Sequence, residues 1–234
     1  PTGNTDPKIV KQSIVRLTLH EVGHTLGLNH NFKASHLHDP VSVHDPLITQ
    51  KSGVTASVME YPAVNIAPLG VEQGDYYDVV TGAYDNWAIE FGYTPNLSDQ
   101  ERDQILFRSD EPELIFGNDA DDMRSPGRGI DPRAMTNDLT NDPITYAVQR
   151  IELVNQTFKE LPTKLEAKSW EEFVNAYQTL FRESGRSLQT VSRYLGGVYV
   201  NRSTPDQNSE LSPFEPVSEA DQKRAMQVLN DHDE

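Results

Sequence analysis

Cysteine is absent from this 234-residue chain, so neither a disulfide framework nor a thiolate metal ligand is available to it. The compartment does not follow from that, because many bacterial envelope proteins also lack disulfides. Missing as well is any uninterrupted apolar run of the length a membrane-crossing helix needs. Positive charge is scarce: 20 Lys and Arg stand against 36 Asp and Glu, a formal net charge of -16. Nucleic-acid phosphates demand lysine and arginine clusters, so this balance argues against nucleic acid and against anionic membrane surfaces as partners. The opening Pro1-Thr2-Gly3-Asn4-Thr5-Asp6 has no basic start and no apolar core, and is not a secretory signal peptide. Aliphatic and aromatic residues make up 36% of the chain. Over this length that suffices for one domain with a substantial core, or a core with a helical appendage.

What is present is concentrated in residues 20–35, which begin His20-Glu21-Val22-Gly23-His24-Thr25-Leu26-Gly27-Leu28-Asn29-His30. In a helix His20 and His24 lie one turn apart on one face, so their imidazoles can converge on a single ion. Gly27 is placed to end that helix, since glycine accepts the left-handed backbone of a sharp turn. Past the turn, His30 can swing back as a third ligand. Three protein ligands leave a fourth position for water, the mark of a catalytic rather than a structural zinc site. Glu21 then faces the open position as the acceptor of the water's proton. A bare His-Glu-x-x-His occurs by chance in many helices; Gly27 and His30 each add a mechanical requirement that chance does not supply.

Downstream, Ser57-Val58-Met59-Glu60-Tyr61-Pro62 follows a polar, proline-containing loop. Together with the long histidine motif it resembles the metzincin clan of zinc peptidases, in which a methionine-bearing turn passes beneath the metal. The resemblance implies one catalytic zinc on His20, His24 and His30, and Glu21 as general base. It also implies Met59 as the apolar floor and Tyr61 as a fifth ligand or an oxyanion donor. Taken alone, Met59 reads equally as an ordinary core methionine and Tyr61 as a half-buried surface tyrosine. The wording of residues 20–35 and 57–61 is similar to a group of large bacterial metzincin-like peptidases with a helical region after the methionine turn. Residues 78–93 and 194–201 resemble that region. Asn31 departs from the residue that matrix metalloproteases, astacins and serralysins carry after the third ligand, so their substrate habits do not transfer.

The same resemblance implies a twisted sheet ahead of the active-site helix, whose edge strand walls the substrate cleft. Here the helix begins almost at once. The expectation is therefore a mainly α chain: the C-terminal, lower part of a metzincin-like catalytic domain with extra helices, the upstream part of the same parent protein supplying the sheet. The expected function is hydrolysis of a peptide or protein, in an extracytoplasmic setting by family resemblance only. Two alternatives stay open: a zinc-binding, non-catalytic helical interaction module, and a fragment inactive without its upstream sheet.

Along the chain three stretches are expected: 1–95 with the motif and methionine turn, an acidic irregular segment over 96–142, and a helical subdomain over 143–234. Asp6-Pro7 and Asp142-Pro143 are cap-plus-proline helix starts. The first leads an apolar stripe of Ile9, Val10, Ile14 and Leu17, the second a stripe of Ile144, Val148, Ile151, Val154 and Phe158. Both read as core packing. Asp75 reads as the start of another helix, Trp170 to Leu195 as one helix or a helix pair broken at Gly185, and Ser218 with Asp221 as a capping box. The segment holding Asn118, Asp119, Asp121, Asp122, Asp131 and Asp138 offers hard oxygen ligands for calcium, though its spacing fits no EF-hand. The alternative is a solvated loop with capping aspartates. His36, His38 and His44, beside Asp39 and Asp45, read as solvated loop histidines or a second metal site.

Overall fold

A computed structural model describes residues 6–122, 129–165, 169–204, 207 and 211–232. The polar opening at 1–5 and part of the acidic segment, 123–128, lie outside the described residues. Within them the chain is mainly helical, with seven α-helices and one two-stranded antiparallel sheet. The helices are α1 (Pro7–Thr25), α2 (Pro46–Ser52), α3 (Ala83–Tyr93), α4 (Asp99–Phe107), α5 (Pro143–Lys164), α6 (Trp170–Ser192) and α7 (Glu219–Asp231). Strands β1 (Val198–Val200) and β2 (Phe214–Pro216) pair in the register Tyr199 opposite Glu215. No helix among the described residues is long and apolar enough to cross a membrane.

Local chemistry explains most helix starts. The Asp6 carboxylate accepts from Lys8 N at 2.8 Å with Pro7 in the first turn, and Asp142 accepts from Thr145 N at 3.1 Å ahead of Pro143. Ser218 accepts from Asp221 N at 3.0 Å, as its capping-box spacing requires. Three expectations need correction. Asp75 starts no helix: its buried carboxylate is occupied by Gln12 and Thr49, and α3 begins only at Ala83 behind Gly82. Residues 194–201 are a turn running into β1 rather than a helix, whereas of the two readings of the stretch around Gly185 the single helix is found, α6 absorbing a glycine that costs about 1 kcal/mol relative to alanine. Inside the segment read as irregular, Asp99–Phe107 is helical, with a capping box of Ser98 and Glu101.

The apolar core lies in the later helices. Ile144 and Ala147 of α5 meet Val191 of α6, Ala225 of α7, and Met135, Tyr194 and Val217 between them. A smaller cluster of Val43, Val54, Leu139 and Tyr146 sits under the loops that follow the histidine motif. Helix α1 behaves differently. Of its stripe, expected to pack in a core, Val10, Ile14 and Leu17 are 48%, 60% and 53% exposed, and Ile9 is half-buried. The helix is held by its other side, where Gln12, His20 and Gly23 are buried. Gln12 donates to Asp75 at 2.6 Å and accepts from Tyr76 N at 2.7 Å, while Lys8 reaches the Gly74 carbonyl.

Candidate metal centre

Helix α1 delivers His20 and His24 one turn apart, and the chain turns at Gly27, whose φ of +86° is the left-handed geometry that favours glycine. The turn is closed by Gly27 N to His24 O at 3.0 Å and Leu28 N to Gly23 O at 3.0 Å, the paired bonds that finish a helix. It returns His30 to the face of the other two imidazoles. Ring centroids stand 4.7 Å apart for His20 and His24, 4.9 Å for His24 and His30, and 5.4 Å for His20 and His30. One ligand atom from each ring lies within 4.8 Å of the others, the single metal-capable group of this kind among the described residues.

The outer nitrogens decide which atoms face inward. His20 Nδ1 is 2.8 Å from the Val58 carbonyl, His24 Nδ1 is 3.0 Å from the Leu28 carbonyl, and His30 Nδ1 is 2.9 Å from the Asp119 carboxylate. Carbonyls and carboxylates accept and do not donate, so each ring carries its proton on Nδ1 and presents a bare Nε2 lone pair. The Nε2 atoms of His20 and His30 are buried with no hydrogen-bond partner. Leaving buried nitrogens unsatisfied is costly, and a metal ion at their meeting point satisfies them. Burial pulls His20 below the ordinary histidine value; the Val58 bond opposes this, and Arg16 with the other two imidazoles reinforces it. The neutral ring that a metal needs is therefore favoured. The residues fit a zinc ion.

Met59 is fully buried beneath α1. A Cβ added at Gly23 would run into its sulfur, so the glycine inside the motif exists to let the helix settle on the methionine. The Tyr61 ring lies 4.8 Å from that of His20 and 5.0 Å from that of His30, and is 39% exposed. Above it sits Arg16, one helical turn before His20, its guanidinium carbon 5.0 Å from the tyrosine centroid and its NH2 donating to the Glu60 carbonyl. Glu21 is exposed beside the triad. The family model described as Met-zincin matches residues 2–233. The chain belongs to the Met-zincin family. No curated protein and no solved structure matches it.

Behind the site of this Met-zincin the turn is held by buried carboxylates rather than apolar side chains. Asp85 accepts from Ser57 Oγ at 2.6 Å, Val58 N at 2.9 Å and Gly82 N at 2.8 Å, which ties the methionine turn to the start of α3. Asp78 takes Val54 N, Thr55 N and the Thr55 hydroxyl, and burial pushes it up to about 6. Glu60 accepts from Ser35 N and Tyr61 N; burial, then the nearby Asp138, raises its carboxyl well above the usual range. None of these three was singled out by the sequence pattern, because an isolated acid whose partners lie far along the chain carries no spacing signal. Arg16 has one: it sits four residues before His20, on the same helical face.

The six residues offered for calcium are dispersed. Asp131 is held down to about 2: burial alone would raise it, but Arg133 and Lys33 outweigh that. Lys33 is itself pulled down by burial, Asp131 opposing and Arg133 and Arg202 adding to it, so the carboxylate faces two cations while the lysine has one anion and two cations beside it. Asp138 accepts from Ser35 Oγ, Asp121 pairs with Arg202, and Asn118 caps its own turn through Ala120 N. Asp122 is buried and Asp119 turns to His30. The three histidines read as solvated or metal-binding are largely buried, and among the described residues they form no metal-capable group of three or more. His38 is buried on the Gly53 carbonyl, His44 is buried against Tyr146, and His36 lies 3.4 Å from Asp138. The loop after His30 is bonded to the methionine turn, by Asn31 N to Met59 O at 3.1 Å and Ser35 N to the Glu60 carboxylate at 3.1 Å, and to residues 140–141, by Thr140 N to Ser35 O and Asn141 N to His38 O.

Proposed function

We propose that this Met-zincin is a zinc metallopeptidase in which His20, His24 and His30 hold the metal and Glu21 is the general base. The observation that carries the reading is the triad's hydrogen bonding: all three outer nitrogens are occupied, and the inner ones meet at one point. Zinc, when bound, would supply Lewis acidity, lowering the pKa of water to about 7 and polarising a carbonyl. The chain's residues do the rest. Glu21 accepts the proton of the attacking water and returns it to the leaving amine, a role worth on the order of 10²–10⁴ in rate. The Tyr61 hydroxyl, whose ring is braced by Arg16 on one side and the imidazoles on the other, donates to the oxyanion of the tetrahedral intermediate. Met59 keeps the floor beneath the histidines dry and free of competing donors.

A peptide or protein is the substrate on this reading. An extracytoplasmic setting and kinship to large bacterial peptidases rest on the resemblance of residues 20–35 and 57–61. The uncovered stripe of Val10, Ile14 and Leu17 supports further structure packing on α1 in the working enzyme, as a cleft wall would. Elemental analysis of protein purified without added metal is the test, with about one zinc per chain expected. His24→Ala should lose the metal. Glu21→Gln should keep it and lose peptide hydrolysis by a factor on the order of 10²–10⁴. Wild-type turnover by Glu21→Gln would sink the general-base assignment.

A further inference from the structure

We infer that Asp119, 89 positions away in sequence from the histidine it faces, is the positioning residue of the third ligand, and that Asn31 exists to bring it there. The inference rests on the metal-site reading above. His20 and His24 have their outer nitrogens fixed by the main-chain carbonyls of Val58 and Leu28, which the methionine turn and the Gly27 turn supply. His30 has no such carbonyl. Its Nδ1 donates instead to the Asp119 Oδ2 at 2.9 Å, the one side-chain acceptor among the three.

Delivery of that carboxylate is built into the residue after the ligand. Asn31 is fully buried, and its side chain clamps the segment ahead of Asp119: Nδ2 donates to the Ile115 carbonyl at 3.0 Å, and Oδ1 accepts from Gly117 N at 3.2 Å. Phe32 N adds a bond to the Gly117 carbonyl at 2.7 Å. The next turn is locked by Asp121 N to Asn118 O at 2.9 Å, and by Asn118 N to the Asp121 carboxylate at 3.0 Å. His30 and Asn31 are therefore one device: the first faces the metal, and the second pins the loop that orients the first. This gives a physical role to the residue at which the motif departs from better-known metzincins.

An ionised acceptor on a ligand histidine fixes the tautomer and the ring plane and raises the donor strength of the inner nitrogen. The Asp119 side chain is 64% exposed. Its contribution to folding stability is accordingly small, and its effect falls on the metal. Loss of such a partner typically weakens metal binding about 10–100-fold.

The test measures zinc affinity by chelator competition on the full chain, together with the visible spectrum of the cobalt-substituted protein and melting of the metal-free form. Asp119→Ala should weaken zinc by about 10–100-fold and alter the cobalt spectrum with the metal-free melting temperature unchanged. Asp119→Asn, which keeps an acceptor without the charge, should fall between the two. Combining Asn31→Ala with Asp119→Ala should weaken zinc no further than the worse single change, because both remove one contact. Zinc affinity and cobalt spectrum unchanged in Asp119→Ala would overturn the inference and leave Asp119 a surface acid. Failure of the unaltered chain to bind zinc or cobalt would overturn the metal-site reading, and the role of Asp119 with it.

Discussion

Helices α1 and α5 begin alike and end up in opposite environments. Each starts with an aspartate cap and a proline, and each carries an apolar stripe at helical spacing. In α5 the stripe turns inward: Ile144, Ile151 and Val154 are at most 4% exposed, Val148 and Phe158 are half-buried, and Ile144 packs with residues of α6 and α7. In α1 the stripe faces outward, and the buried side is Gln12, His20 and Gly23. One helix is held by apolar area, the other by polar bonds, a glycine against a sulfur, and imidazoles. A stripe tells that a face exists; its partner is settled only by tertiary structure. The half of the molecule that packs best is thus not the half that carries the chemistry.

The sharpest way to separate the halves is to empty the α5 core. Ile151→Ala removes a side chain only 1% exposed and should cost about 2–5 kcal/mol by denaturant unfolding. Zinc affinity of the folded fraction should not change. A zinc affinity that falls in step with stability would show that the two halves are one cooperative unit around the metal.

On α1 the matching change adds a methyl group. Gly23→Ala places a Cβ against the Met59 sulfur, and overpacking of this kind costs about 1–3 kcal/mol. Unlike the α5 variant it should also weaken zinc, because α1 cannot rise off Met59 without moving His20 and His24 together. Normal zinc binding in Gly23→Ala would mean that the methionine floor does not set the position of the ligands.

The site half should also respond to pH in a way the apolar half does not. Burial pushes Asp78 up to about 6, against an ordinary aspartate value of about 3.9 in the unfolded chain. The folded state then binds more protons between those values, so this group's contribution to stability falls as pH rises from about 4 to about 6. Asp78→Asn removes that slope. It keeps the acceptor for Val54 N and Thr55 N, and its amide can donate to the Thr55 hydroxyl oxygen, leaving that hydroxyl's one proton for the Ser57 carbonyl 2.7 Å away. Unfolding followed from pH 4 to pH 7 should show a shallower fall in the variant, by on the order of 1–2 kcal/mol across the window. Glu60 and Asp85, also raised by burial, leave a residual slope. Parallel curves would place the carboxylate of Asp78 in its ordinary range in the folded protein.

How far the sequence could be read follows the same division. The triad's spacing, Gly27 and the helix caps were legible because their chemistry depends on neighbours a few residues away, where spacing is geometry; Met59 was legible only through the resemblance to metzincins. Asp119 and Asp85 were not, since a carboxylate that acts on a residue tens of positions distant leaves no periodic trace. Asp119 was even read as a calcium ligand or a loop cap, the ordinary meanings of an acid among acids. The histidines after the motif were misread because a polar loop was taken to be a solvated one. In this fold the loop is bonded to the methionine turn and to residues 140–141, and His38 and His44 are buried. Helix content was legible from caps and stripes, whereas β1 and β2, at three residues each, are too short for alternation to register.

The smallest expected effect is the one that tests the outward face of α1. Ile14 is 60% exposed, so Ile14→Gln removes little buried area, and glutamine is the better helix former. Stability should move by no more than about 0.5 kcal/mol, or about 1–2 °C in melting for a chain of this size. The equivalent change on α5, at Ile151, should be severe. A large loss from Ile14→Gln would mean that the face is covered in solution, by a second copy or by chain that packs there. The contrast between the helices would then be one of partner rather than of principle. A null result leaves α1 as a helix whose apolar stripe contributes nothing to holding it in place, anchored only through the side that bears the histidines.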